Sequence, residues 1–423
     1  MKTLVEVEPR TNLQAPVPPA GVDTASADYH FIINQPGSYY LSANLAVTKP
    51  NGIRINAEGV TLDLNGFQVS RASGTGGAGI NLQAVAQRCV VKNGSVTGFG
   101  DGVGAGGSPQ GVTFLHLTVS ACSGLGFRAG DSARIESCAA LDNGSSGFFI
   151  GAYSVVKDCI ATRNASEGFT IFASSLTNSR AYLNGGTGVI AGGSCVLTGV
   201  SAGGNQRGGI EAGGRGSSLT ACTATNNAGA YGIYAEAESS LVHCVARANT
   251  NGSNVNSYGI YVEQSSTVLS CTSDSNTSTF AGTPSGLNGN GIFAGAGSRV
   301  QDCTVTGNKG DGIRATSNVT VSGNNCYANG ASSGSGAGIR VSGGNNRIEG
   351  NNASGNDRGI EVTAPGNLIL RNSAADNTTN YEIAADNRYG AIVDLTAAGS
   401  AAVSGNGATA TTVSTNPWAN FAY

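Results

Sequence analysis

Apolar residues alternate with polar ones in runs of three to five along most of this chain, and Gly or Asn stands between the runs. Alternation at a period of two buries one face of a strand, so the pattern predicts many short strands. A Gly followed by a bulky apolar residue keeps these runs in phase. It appears as Gly52-Ile53, Gly79-Ile80, Gly102-Val103, Gly126-Phe127, Gly147-Phe148 and Gly168-Phe169, and continues to Gly359-Ile360, returning every 20 to 32 residues. Other columns move with it. Nine residues before the marker stands a small residue such as Cys138, Cys159 or Ser179, and three before that an aliphatic one such as Ile135, Val156 or Leu176. Two after the small residue comes Ala140, Ala161 or Ala181, and five after it Asn143, Asn164 or Asn184.

A repeat of this length, with strands in every unit, predicts a solenoid whose coils stack in register. Leucine-rich repeats need a Leu-x-x-Leu-x-Leu skeleton and a helix per unit, and the chain has neither. The predicted fold is all-β: a single-stranded right-handed parallel β-helix of about 14 rungs over residues 51–380. Residues 1–50 read as an extended N-terminal segment and cap, and residues 381–423 as a C-terminal cap with an aromatic tail of Trp418, Phe421 and Tyr423. Solenoid ends expose core and strand edges, so caps are expected there. Asn and Gly are assigned to the turns, since both tolerate left-handed backbone angles.

Composition narrows the function classes. The 423 residues are 39% hydrophobic and 12% charged with a net charge of −3, which offers no footprint for a nucleic acid or an anionic membrane. No apolar stretch approaches the roughly 20 residues of a membrane span. Six of the ten cysteines, Cys138, Cys159, Cys222, Cys244, Cys271 and Cys303, share one inward column and read as small core residues. With no Cys-x-x-Cys pair and with His30, His116 and His243 scattered, no metal site or cofactor is expected. Gly74–Gly79 matches G-x-G-x-x-G, but no strand–helix–strand pattern surrounds it, so it reads as a turn entering a rung. The chain opens Met1-Lys-Thr-Leu4 without a leader pattern; for this architecture the expectation is an extracellular or cell-surface protein given without its leader.

Candidate chemistry lies on the outward face of the strands that begin at each Gly–apolar pair. Two residues after Gly the column includes Glu211, Tyr234, Tyr261, Phe293, Arg314 and Arg340, and four after Gly it includes Glu236 and Glu263. The interval from the Asn column to the next Gly is four in regular rungs, and lengthens to ten at Asn249–Gly259, 15 at Asn276–Gly291 and nine at Asn329–Gly338. All three insertions precede strands of this face, and insertions on one side of a solenoid often wall a binding site. Rings that cover sugar faces, with carboxylates and guanidinium groups that bond hydroxyls or carboxylates, are what a polysaccharide cleft needs. Tyr234, Tyr261, Phe293, Arg314 and Arg340 are the candidate substrate-binding residues, and Glu211, Glu236 and Glu263 the candidate catalytic ones. Glu236 and Glu263, one rung apart, approach the carboxyl spacing of a retaining glycosidase, and two such close charges can share a proton.

The repeat columns over roughly residues 50–380 resemble the right-handed parallel β-helix repeat proteins of the pectate-lyase-like superfamily. The stretch Phe31–Leu41 with Val60–Gly66, and the ending Asn416-Pro-Trp-Ala-Asn-Phe421, look like secreted bacterial proteins of that type. The resemblance implies extracellular lyases, polygalacturonase-like hydrolases, epimerases or trimeric tailspikes. Its catalytic signatures do not carry over. The chain holds no Arg-x-Pro-x-x-Arg segment, no Asn-Thr-Asp or Gly-His-Gly element and no Asp-Asp pair. Two readings follow: a carbohydrate-binding or carbohydrate-active protein, or a structural, self-associating surface or fibre protein that uses the solenoid as a rigid scaffold.

Overall fold

The computed structural model describes residues 10–71, 76–105, 109–251, 257–278, 289–330, 336–396, 402–406 and 411–423. Gly74 and Thr75 of the Gly74–Gly79 run, and the opening Met1–Pro9, lie outside the described residues. Residues 1–196 and 197–423 form two compact units, each a stack of short strands. Among the described residues no helix is long and apolar enough to cross a membrane.

A regular rung of the first unit shows how the sequence makes its three strands. Phe148–Ile150, Val155–Lys157 and Ile160–Thr162 each bury alternate residues: Phe148 and Ile150, then Val156, then Ala161. Each pairs in parallel with the equivalent strand a rung away, as Phe148 with Phe169, Val156 with Leu176 and Ala161 with Ala181. The three resulting sheets are named here by their inward residues: the glycine sheet, the leucine sheet and the alanine sheet. Among the described residues, eight rungs contribute parallel glycine-sheet strands to the first unit, from Tyr29–Ile33 to Val189–Gly192, and nine to the second, from Ile210–Gly213 to Val403–Gly405. Residues 29–47 supply three strands, paired in parallel with those of residues 51–71. Val22–Asp23 lies antiparallel against the strand Tyr29–Ile33.

Gly and Asn residues such as Gly204, Asn226, Gly307 and Gly355 do take the left-handed corners as expected, but the periodic Asn column itself does not. The Asn column points inward: Asn143, Asn164 and Asn184 are buried, and the left-handed backbone belongs to the residue just before each, Asp142, Arg163 and Leu183, at φ of 55, 54 and 55°. The buried amides form a ladder. Asn143 Nδ2 donates to Asn164 Oδ1 at 2.9 Å and to Val119 O at 3.3 Å, and Asn164 Nδ2 donates to Asn184 Oδ1 at 3.0 Å and to Ala140 O at 3.1 Å. The second unit repeats this from Asn205 through Asn227, Asn249, Asn276, Asn308, Asn329 and Asn356 to Asn377. The ladder also satisfies the backbone amides of the corner, since Asn143 N donates to Asn164 Oδ1 at 3.2 Å and Asn164 N to Asn184 Oδ1 at 3.1 Å, where no water reaches them.

The phase-marking glycines also lack left-handed angles; what they supply is space. A Cβ on Gly147 would stand 2.8 Å from the carbonyl oxygen of Gly168 and 2.8 Å from Asn164 Nδ2, and one on Gly312 would stand 2.5 Å from Gly338 O. Stacked rungs bring each glycine Cα under the next rung's carbonyl, and only hydrogen fits between them.

The cysteine column is as expected. All ten thiols are free and buried, and Cys326 instead lies in the alanine sheet between Val305 and Ala353. The column thiols bond local carbonyls, as Cys159 Sγ does Lys157 O at 3.1 Å and Cys222 Sγ Thr220 O at 3.5 Å. Burial pushes the Cys89, Cys122, Cys195 and Cys326 thiols up, away from the reactive thiolate. Ellman's reagent is therefore expected to find almost no reactive thiol in the native protein and all ten once guanidinium unfolds it; fast labelling of native protein would contradict the packing.

The tail strand Asn420–Ala422 lies between Ser373–Ala375 and Ile392–Asp394 and is held by its small residues. Asn420 Oδ1 accepts from Asn372 Nδ2 at 3.1 Å, ending one amide ladder, and Ala422 is buried opposite Ala374. Trp418, Phe421 and Tyr423 keep substantial exposure on the outside, with Arg371 lying 3.9 Å over the Trp418 ring.

Candidate functional site

The glycine sheet of the second unit sorts its residues by position. In a strand such as Tyr231–Ala235, Gly232 and Ile233 are buried, Tyr234 faces out and Ala235 is buried again. Parallel in-register pairing carries that outward position from rung to rung as Glu211, Tyr234, Tyr261, Phe293, Arg314, Arg340 and Glu361. Neighbouring strands lie about 4.8 Å apart, the spacing at which flat rings stack. Tyr261 and Phe293 stack at 4.5 Å and 7°, and Tyr234 and Tyr261 at 5.6 Å and 20°.

A second row of rings stands beside the first. Tyr231 and Tyr258, the residues just before Gly232 and Gly259, stack at 6.0 Å and meet the first row edge-on, with Tyr231–Tyr261 at 5.2 Å and Tyr258–Phe293 at 5.4 Å. The sequence reading followed the positions two and four after Gly and so missed this row. The position one before Gly adjoins this face, half-buried at Tyr231 and buried at Tyr258, and its signal was the Tyr-Gly-Ile-Tyr motif at 231–234 and again at 258–261.

Carboxylates border the rings. Tyr234 Oη donates to Glu263 Oε1 at 2.7 Å. Glu236 and Glu263 end adjacent strands in equivalent places, their amides donating to Ala212 O and Ala235 O at 3.0 Å each. Burial raises the Tyr234 phenol above the usual tyrosine range, and its bond to Glu263 and the Glu236 charge add to the rise. Tyr231 is raised by burial and then by Glu211 and Glu263. All three candidate carboxylates therefore act on this one cluster of phenols. Because the folded protein holds the Tyr234 proton more tightly than the unfolded chain does, its stabilising contribution is complete below pH ~10 and is lost as pH rises through the folded value. In an absorbance titration at 295 nm, Glu263→Gln is expected to move one late-ionising phenol to lower pH, and superimposable curves would contradict the pairing.

The two arginines belong to a different network. Arg340 Nε reaches both oxygens of the buried Asp311, at 3.0 and 2.9 Å, and its Nη1 donates to Glu361 Oε1 at 3.1 Å. Its Nη2 lies 2.9 Å from Glu361 Oε2, an ion pair without hydrogen-bond geometry. Arg314 Nη1 stands 3.9 Å from Asp311. Asp311 also accepts from Ala337 N at 2.9 Å, and burial raises its carboxyl against the opposing pull of Arg340. Arg340 is thus held on both sides, while Arg314 borders Phe293 at the end of the ring stack. Among the described residues no ion pair joins either arginine to Glu211, Glu236 or Glu263. Asp311, which precedes Gly312, was missed for the same reason as Tyr231 and Tyr258.

At the corner where the insertions begin, Thr250–Asn251 and Thr277–Ser278 form a small parallel pair, with their Thr hydroxyls 3.0 Å apart. The remaining parts of the three insertions, residues 252–256, 279–288 and 331–335, lie outside the described residues. Among the described residues no group of three or more His, Cys, Asp or Glu side chains is placed to hold a metal ion.

A family model described as "Right handed beta helix region" matches residues 51–205 and 249–417. No curated protein matches the sequence. Among solved structures, the A-module of the Azotobacter vinelandii mannuronan C-5 epimerase AlgE6 is similar at 16% identity and a TM-score of 0.50, over 80% of this chain and 90% of that one. The A-module of AlgE4 from the same organism gives 16% identity and a TM-score of 0.33, over 82% and 90%. The Dettilon tailspike protein gives 14% and 0.40, over 74% and 60%. At these identities the likeness is one of fold.

Proposed function

We propose, for a chain that belongs to the right-handed β-helix family, that residues 197–423 bind a polysaccharide outside the cell, on the ring-bearing face of the glycine sheet. The observation that carries this is the five-ring cluster of Tyr231, Tyr234, Tyr258, Tyr261 and Phe293, bordered by Glu211, Glu236 and Glu263. Tyr231, Tyr234, Tyr261 and Phe293 are partly exposed and offer flat apolar surface to sugar faces, with the buried Tyr258 supporting them from behind, and the carboxylates beside them accept from sugar hydroxyls. Arg314 extends the surface with a guanidinium group, and Arg340 holds the strand ends beside it through Asp311. Any turnover is assigned to Glu211, Glu236 and Glu263, with Tyr234 keeping Glu263 oriented.

A polysaccharide binding and degradation screen tests the reading. Tyr261→Ala and Glu263→Ala are each expected to weaken binding of the polymer found about tenfold or more, equivalent to ~1.4 kcal/mol. Glu236→Ala is expected to affect turnover if turnover is found. Binding unchanged in all three variants would sink the site. A structural, self-associating role draws on the exposed apolar side chains of Val155, Ile160, Tyr182, Leu183 and Val196 in the first unit. Sedimentation velocity over a wide concentration range separates it, since lateral assembly makes the sedimentation coefficient rise with concentration.

A further inference from the structure

The aromatic tail has no part in the tyrosine shelf, and it ends on a different sheet. In the last rungs of the alanine sheet, in-register pairing lines up Tyr327, Ser354 and the covered Ala375. Tyr423 continues that column, since its amide donates to Ala374 O and its carbonyl accepts from Asp376 N, at 3.1 Å each. A second outward column, two positions earlier, runs from Asn325 and Asn352 through Ser373 to Phe421. No charged residue stands in either column over these rungs. Charges stand at the bordering corners, where Arg371 and Asp376 take left-handed angles.

Exposed rings gather on this strip. Tyr327, Phe421 and Tyr423 are 55%, 43% and 54% exposed and Trp418 at its edge 42%, whereas the rings of the tyrosine shelf are partly or wholly buried. Two of the rings lean along the sheet rather than away from it. A Cβ on Gly355, one rung on, would stand 3.2 Å from Tyr327 Cε2, and Ser373 Oγ, one rung back, donates to Tyr423 Oη at 3.1 Å. Their strands lie three sheet steps apart, about 14 Å, with the small residues Ser354 and Ala375 between them. Beside that gap Asn352 Nδ2 donates to Asn325 Oδ1 at 3.0 Å, which orients both amides. Asn325 Nδ2 and Asn352 Oδ1 meet no partner among the described residues. Arg371 is occupied: it lies over the Trp418 ring at 3.9 Å, donates from Nε to Pro417 O at 3.2 Å and pairs with Glu349 at 3.5 Å.

Exposed rings, oriented amides and hydroxyls with no charge among them suit one ligand chemistry. A pyranose lays its apolar face on an aromatic side chain, and its hydroxyls both donate to and accept from amides. Apolar rings left open among polar groups mark an interaction surface, since a cap would have buried them. We propose that this end of the alanine sheet binds a neutral saccharide strand. The strand lies along the solenoid from Tyr327 over Ser354 to Tyr423, with Asn325 and Asn352 bonding its hydroxyls and Phe421 at its rim. The site is independent of the tyrosine shelf, which lies on the glycine sheet.

The test measures binding of the full chain to immobilised cellulose, chitin and dextran, with alginate as the acidic comparison, at low and high salt. Tyr327→Ala and Tyr423→Ala are each expected to weaken binding to the neutral polymer that is held about tenfold, in wild type and in a Tyr261→Ala background alike. Salt should leave that binding unchanged, because the strip offers no charge to screen. Tyr423→Phe keeps the ring and should keep most of the affinity, while Tyr327→Leu keeps the bulk without the ring and should still lose it. Circular dichroism checks the fold of each variant. Binding to none of the neutral polymers, binding that both alanine substitutions leave unchanged, or binding that high salt abolishes overturns the proposal. A sedimentation coefficient that rises with concentration and is flattened by Tyr423→Ala, with no neutral polymer bound, would give the strip to a second copy of the chain and overturn it too. A loss with Tyr261→Ala but not with Tyr327→Ala or Tyr423→Ala would overturn it while sparing the tyrosine shelf, and the opposite pattern would do the reverse.

Discussion

Asn249→Ala is expected to destabilise the protein by about 4 kcal/mol. Asn249 Nδ2 donates to Ala224 O at 3.0 Å and to Asn276 Oδ1 at 2.9 Å, and its Oδ1 accepts both Asn227 N at 3.1 Å and Asn227 Nδ2 at 2.9 Å. Alanine removes all four bonds and leaves two buried polar groups unpaired, the Asn227 amide and one Asn227 side-chain hydrogen, while the Ala224 carbonyl keeps its place in the strand ladder. Each unpaired group costs roughly 1–3 kcal/mol, and local relaxation brings the sum below the simple total. Urea unfolding followed by circular dichroism measures it. Asn249→Asp separates the ladder's chemistry from its shape. A carboxylate still accepts from Asn227 but faces Ala224 O and Asn276 Oδ1 with lone pairs, so its folded pKa rises above the unfolded value of about 3.9. Its best stability then lies below that pH and is lost as pH rises through the folded value. A loss under 1 kcal/mol in the alanine variant, or an aspartate variant insensitive to pH, would contradict the ladder.

These amides also show what the sequence could and could not disclose. The Gly–apolar marker predicted parallel rungs because period two and a repeat of 20 to 32 residues admit few other folds, and the structure has them. The cysteine column was legible for the same reason, since its phase alone placed it inside. The reason for each Asn was not legible, because an amide that bridges rungs and an amide that forms a turn leave the same letter at the same period. The left-handed residue at this corner is Asp142, Arg163, Leu183 or Ala248 in some rungs and Gly204, Asn226, Gly307 or Gly355 in others, so Gly and Asn are used there without being required. Where the corner residue is neither Gly nor Asn, its side chain is at least partly exposed and the left-handed cost of roughly 1–2 kcal/mol is met by packing elsewhere. At the candidate site the columns two and four after Gly gave Tyr234, Tyr261 and Glu263 their shared face. Tyr231, Tyr258 and Asp311 escaped because a residue just before a buried glycine breaks simple alternation: Gly and the residue after it are both buried, so a count of every second position passes over the one before Gly.

The same packing makes Gly232→Ala the most informative substitution in the sheet. Gly232 has no left-handed φ, so alanine meets no backbone strain there. Its Cβ would stand 2.5 Å from Asn249 Nδ2 and 2.7 Å from Gly259 O. Neither neighbour can yield cheaply, since Asn249 Nδ2 is held by Ala224 O and Asn276 Oδ1 and Gly259 O belongs to a paired strand. A loss of ~3 kcal/mol is expected, at the upper end of ordinary overpacking. Gly213→Ala in the adjacent rung is the control. No atom lies within 4 Å of its added Cβ and its φ is not left-handed, so reduced freedom of the unfolded chain should leave it neutral or up to ~1 kcal/mol more stable. If the glycines mattered for turn conformation, the two variants would behave alike. The double variant Gly232→Ala/Asn249→Ala tests the contact itself, because removing the amide frees the space the new methyl enters. Its loss should fall short of the sum of the single losses by at least ~1 kcal/mol, the coupling expected of residues in contact. Strict additivity would mean that the glycine column and the amide ladder stand independently, and that the repeat's phase is set by something other than their close approach.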